Sequence, residues 1–130
     1  MTKTNYKMVE EFHKTFGANI SESPNLPIES ERELRKKLLT EEFNEYLEGE
    51  HNNDIVEISD ALGDMMYIIY GTAVSYGLPI DEIFAEIHAS NMSKLDENGK
   101  PIYREDGKVL KSNLYFKPDI KKIIDSKIGE

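Results

Sequence analysis

The chain has 130 residues, 38% hydrophobic and 32% charged, a mixture that suits one globular domain spanning residues 1–130. It has no Cys, which excludes a disulfide scaffold, a thiolate metal site and a cysteine nucleophile. A net charge of -9 argues against nucleic-acid duplex as a partner. Without a signal-like apolar core in residues 1–11 or an apolar run longer than Met65 to Tyr70, a cytoplasmic protein with no membrane contact is expected.

Four helical patterns are predicted, then a tail of different texture. The first helix spans about Asn5 to Phe16, with Val9, Phe12 and Phe16 at helical spacing. A loop rich in Gly, Ser, Asn and Pro covers Gly17 to Pro27. The second helix spans about Ser30 to Glu48, with Leu34 and Leu38 as its buried stripe, Gly49 closing it and His51-Asn52-Asn53 as the connection. The third spans about Asp54 to Tyr76 and ends on Gly77. Its apolar residues cover most of its circumference, which predicts burial nearly all round. The fourth follows Pro79 and spans about Ile80 to Ala89. Short connections imply antiparallel neighbours. In the tail, Asp106-Gly107 between two β-prone runs signals a hairpin, and about Pro118 to Ile128 suits a short amphipathic helix. The fold class is therefore an all-α antiparallel bundle of about four helices (about 5–91) with a small hairpin or irregular tail (about 92–130).

The acids define the chemistry. No Lys or Arg stands between Lys37 and Lys94, yet that window holds twelve Asp and Glu residues. Extending the Leu34–Leu38 stripe lands on Glu41, Glu42 and Glu45, while Glu57, Asp60 and Asp64 form one strip of the third helix. Folding the two helices into a hairpin sets Glu45 level with Glu57, and Glu41 or Glu42 near Asp60 and Asp64. Up to six carboxylates then converge on one groove. Burying them without partners is costly, and a divalent cation is the simplest remedy. An all-oxygen ligand set selects Mg²⁺, with Mn²⁺ as the alternative. Glu48, Glu50, Asp81, Glu82 and Glu86 are read as solvated faces. His13, His51 and His88 show no ligand pairing. One Glu-x-x-His, Glu10 to His13, lacks the second copy that a di-iron bundle needs.

Glu41-Glu42-Phe43-Asn44-Glu45 followed by Glu57-Ile58-Ser59-Asp60 resembles the paired acidic motifs of the MazG-like all-α nucleoside triphosphate pyrophosphohydrolases. Asp60-Ala-Leu-Gly-Asp-Met-Met-Tyr, Tyr70-Gly-Thr-Ala, Ser90-Asn-Met-Ser-Lys, Lys100-Pro-Ile-Tyr-Arg-Glu-Asp-Gly-Lys and Tyr115-Phe-Lys-Pro-Asp are similar to the branch related to phosphoribosyl-ATP pyrophosphohydrolase. The resemblance covers about residues 5–120. One departure stands out. Many relatives carry a Glu three residues before the Asp that here is Asp64, and this chain has Ala61. Either Glu57 and Asp60 are the ligands, or Asp60 and Asp64 share that task. The first arrangement is adopted, with Asp64 as an accessory.

The resemblance implies hydrolysis between the α and β phosphates of a nucleoside triphosphate, giving monophosphate and pyrophosphate. It implies Mg²⁺ held by Glu42, Glu45, Glu57 and Asp60, with Glu41 orienting or deprotonating the attacking water. It implies phosphate or sugar contacts from Asn91 and Lys94, and a tail that closes over the nucleotide. It also implies a homodimer or homotetramer. Two other readings stand beside this one: a narrower enzyme for deoxyuridine nucleotides or phosphoribosyl-ATP, and a non-catalytic helical module whose acidic groove binds a basic partner or metal.

Overall fold

The computed structural model describes residues 3–128. The order is α1 (Asn5–Phe16), α2 (Glu29–His51), α3 (Ile55–Tyr76), α4 (Ile80–Met92), β1 (Ile102–Tyr103), β2 (Val109–Leu110) and α5 (Ile120–Lys127). The predicted mostly helical class stands, with α2 against α3 and a small antiparallel hairpin in the tail. None of these helices is long and apolar enough to cross a membrane. The chain forms two compact units that divide between Leu78 and Pro79.

In the first unit α3 is the central element, packed on both α1 and α2. Thr4 caps α1 by accepting the Lys7 N–H at 3.1 Å. Asp54 caps α3 by accepting the N–H groups of Val56 and Glu57, both at 3.1 Å. Such caps satisfy donors that the first helical turn leaves open. The apolar core is built from small side chains: Val9, Ala61, Ala73 and Val74 are buried. Gly77 ends α3 in the left-handed region at φ 70°, and a Cβ there would lie 2.3 Å from the Ser23 carbonyl oxygen. The loop after α1 is thus pressed backbone to backbone onto the end of α3. Hydrogen bonds hold it there, from Ser21 N–H to Val74 O (3.1 Å) and from Asn25 N–H to Tyr76 O (3.0 Å).

Three details of the helices differ from expectation. Gly49 does not close α2, which continues through His51 and leaves only Asn52 to Asp54 as the connection. Gly49 is buried instead at the helix crossing, where a Cβ would lie 3.0 Å from the Ile58 backbone nitrogen. The buried residue of the α2 stripe is Arg35, 7% exposed, while Leu34 is 46% exposed. That side of α2 faces polar groups: Arg35 Nε donates to Thr72 Oγ1 (3.3 Å), and Ser75 Oγ donates to Glu31 Oε1 (3.0 Å). His13, also buried, contacts the Asn19 carbonyl oxygen through Nδ1 at 2.8 Å. Lastly, α3 is not covered all round. Within its unit it has two helical neighbours, so Ile55, Leu62, Met66 and Ile69 remain exposed on its third side.

In the second unit, α4 runs one turn beyond the predicted Ala89, to Met92. Ile102 pairs with Leu110 and Tyr103 with Val109 around the Asp106-Gly107 turn. The α5 helix packs on α4 through Lys127 Nζ to Glu82 Oε1 (2.9 Å) and through the Asp119 N–H, which donates to Glu86 Oε2 (2.7 Å).

Candidate metal centre

The antiparallel hairpin of α2 and α3 fixes which acids meet. Arg35 lies over Gly71, where a Cβ would stand 2.7 Å from its Nη2, and Gly49 lies over Ile58. Glu42 is seven residues from both Arg35 and Gly49, so it stands midway between these two contacts. The register brings it to Asp64. Oxygens of Glu42, Glu45 and Asp64 all lie within 4.8 Å of one another, forming the three-acid group among the described residues. The extra turn of α2 explains the membership. It moves the hairpin's midpoint toward Asn53, so Glu57 falls level with Gly49 instead of Glu45.

The electrostatics mark Glu42 as the centre of the group. Its Oε2 is buried and has no hydrogen-bond donor. Burial, then a hydrogen bond to Glu45 and the charges of Glu45, Asp64 and Asp60, push its carboxyl up to about 7. Only by taking up a proton does this carboxyl gain a hydrogen bond to its neighbours. Asp64 is also raised, by burial and by the charges of Asp60 and Glu45, and a hydrogen bond from Glu42 opposes the rise. Glu57 is raised by burial and by the charges of Glu48, Asp54 and Glu45. Among the described residues, no ion pair involves an acid between Glu41 and Asp64.

The other expected site residues fall as follows. Glu41 is exposed on α2 beside Glu42. Asp60 is exposed one turn before Asp64, and its charge is felt by both Glu42 and Asp64. Asn91 and Lys94 belong to the second unit, where the Lys94 N–H donates to the Asn91 carbonyl at 3.2 Å. The two serines of Ser90-Asn-Met-Ser-Lys are structural. Ser90 Oγ donates to Phe116 O (2.8 Å), and the Phe116 N–H donates to Ser93 Oγ (3.0 Å), which ties the tail back to α4. Arg35 was not singled out from the sequence, although it lies seven residues before Glu42 and therefore on the same face.

A buried carboxylate oxygen with no donor, set among further carboxylates, could hold a hard divalent ion. Mg²⁺ and Mn²⁺ fit the oxygen-only chemistry of Glu42, Glu45 and Asp64. Neighbouring acids on α3 supply further negative charge.

The chain is 31% identical over 128 residues to the uncharacterized protein L479 of Acanthamoeba polyphaga mimivirus, a match covering 94% of this chain and 48% of that relative. It thus spans about half the length of that protein. Residues 9–91, which include all of α2 and α3, match the phosphoribosyl-ATP pyrophosphohydrolase family. The chain belongs to that family, within the MazG-like all-α nucleoside triphosphate pyrophosphohydrolase superfamily.

Proposed function

We propose that this protein is a Mg²⁺-dependent pyrophosphohydrolase that cleaves a nucleoside triphosphate between its α and β phosphates, releasing monophosphate and pyrophosphate. The observation that carries this reading is the convergence of Glu42, Glu45 and Asp64 around a buried oxygen without a donor. Family membership supports a pyrophosphohydrolase acting on a nucleotide.

In this reading Glu42, Glu45 and Asp64 hold the ion, with Glu57 and Asp60 completing or flanking the set. Bound Mg²⁺ would supply positive charge beside the departing pyrophosphate. Glu41, exposed next to Glu42, takes a proton from the water that attacks the α-phosphorus as the bond to the bridging oxygen breaks. Asn91 and Lys94 contact phosphate or sugar. The protein works as a homodimer or homotetramer. That assembly is supported by Ile55, Leu62 and Ile69, exposed apolar residues spaced seven apart along α3.

The decisive experiment offers the full chain Mg²⁺ and a panel of nucleotides that includes dUTP and phosphoribosyl-ATP. Pyrophosphate release across the panel supports the broad activity, and release from one substrate supports the narrow one. Silence across the panel, with metal still bound, would leave a non-catalytic metal-binding module. Glu41→Gln should bind metal normally and lose turnover by about 10²-fold or more. Full turnover in that variant removes Glu41 from the mechanism. Sedimentation showing a monomer at micromolar concentration removes the assembly.

A further inference from the structure

Beside the acid strip of α3 lies a cavity of about 220 Å³ between α1 and α3, open to solvent along its Met8 and Met66 side. Gly63, Met66, Tyr67 and Tyr70 line it from α3, and Asn5 and Met8 from α1. Its character is opposite to that of the acid groove: apolar walls, two aromatic rings and one amide. Helical geometry puts the two features side by side. Asp60, Asp64 and Tyr67 follow one another at i, i+4 and i+7, while Gly63, Tyr67 and Tyr70 follow at i, i+4 and i+7 on the next strip. Tyr67 belongs to both. Its ring is fixed by Phe12, which meets it edge-on at 5.7 Å with the planes 89° apart.

We infer that this cavity receives the base of the nucleotide whose phosphates lie at Glu42, Glu45 and Asp64, and that it sets the enzyme's base preference. The inference rests on the proposed function and adds the place where specificity is decided. The ligand must be anionic and metal-bound at one end, because only a cation bridges phosphates to carboxylates. Its other end must be largely apolar to enter this cavity, whose lining is apolar and aromatic apart from Asn5. Met8 and Met66 adapt their shape to whichever ring enters, and Tyr67 offers an aromatic surface. Gly63 keeps the space open. A Cβ there meets nothing within 4 Å, so there is open space for a side chain at this point.

The test uses the full chain labelled at its methionine methyl groups, in wild-type form and as Gly63→Leu. That substitution puts a better helix former at an exposed helical position, and circular dichroism checks that the helices are kept. Each protein is titrated by NMR with unphosphorylated nucleosides and, separately, with inorganic tripolyphosphate and Mg²⁺. Nucleosides should shift the Met8 and Met66 methyls in wild type and not in Gly63→Leu. Tripolyphosphate should bind both proteins alike. In turnover, Gly63→Leu should raise KM for nucleotides about tenfold or more. Unmoved methyls with every nucleoside, or an unchanged KM, overturn the inference. Nucleoside shifts of equal size in Gly63→Leu also overturn it, by placing the bound ring elsewhere. Should no nucleotide be hydrolysed, the proposed function fails separately, and the nucleoside titration still decides whether the cavity takes a base.

Discussion

Protons and Mg²⁺ should compete for Glu42, and the size of that competition follows from its carboxyl standing at about 7. A metal ligand must give up its proton, so apparent affinity falls by the factor 1 + 10^(pKa − pH). With a pKa of about 7, that factor is about 1.1 at pH 8 and about 11 at pH 6. Mg²⁺ should therefore bind about tenfold more weakly at pH 6 than at pH 8, and the raised Asp64 steepens the trend. Calorimetry in two buffers of different ionisation enthalpy counts the protons released. It should find about 0.9 per ion from Glu42 near pH 6 and about 0.1 near pH 8. Stability of the metal-free protein moves in the other direction. A carboxyl raised from 4.5 to about 7 on folding holds its proton more tightly in the folded state. Its contribution is fully present below pH 4.5 and is lost as pH rises through about 7. Saturating Mg²⁺ should offset that loss above pH 7. Glu42→Gln should bind Mg²⁺ weakly and lose the Glu42 part of the pH dependence. A wild-type affinity that is level from pH 6 to pH 8, with no proton release, refutes the electrostatic account of the site.

Further outcomes follow from the packing. Gly77→Ala forces a side chain into a left-handed residue and against the Ser23 carbonyl, so urea unfolding should show a loss of more than about 2 kcal/mol. Arg35→Met should change stability by less than about 1 kcal/mol or raise it. Burial holds the Arg35 guanidinium below its ordinary pKa, and Thr72 Oγ1 keeps its own bond to Ile68 O (2.9 Å) after the arginine is gone. Arg35→Ala, which leaves a void at the same place, should cost about 2–4 kcal/mol by the same measurement. Ser93→Ala removes the acceptor of the Phe116 N–H, and hydrogen exchange at that amide should accelerate by about fivefold or more.

Much of the architecture is legible because local signals and packing agree. The α1 boundaries, the Gly77 terminus, the Asp106-Gly107 turn and the short final helix follow from spacing and turn chemistry alone. Gly49 misleads because glycine both ends helices and permits close crossings. Only the approach of Ile58 decides between the two, and that contact lies outside any local window. The error then propagates through the register. A hairpin one turn shorter pairs Glu45 with Glu57, and the true one sets Glu57 level with Gly49. Arg35 escapes notice for a related reason. A cation on an apolar face reads as a surface residue that snorkels to water, whereas here hydroxyl and carbonyl groups from α3 surround it. The cavity beside Tyr67 depends on how α1 lies across α3, and no periodicity encodes that crossing.

The spacing of the acids is governed by residues that bind nothing. Gly49 at one end lets α2 lie against the Ile58 backbone, Gly71 at the other makes room for the Arg35 guanidinium, and Glu42 and Asp64 lie between these points of contact. A bulkier residue at Gly49 would press on that backbone like a wedge, and the carboxylates would separate although each remained in place. Activity screens at the acids alone would overlook such lesions. An uncharged position two turns from Glu42 thus helps to set the gap.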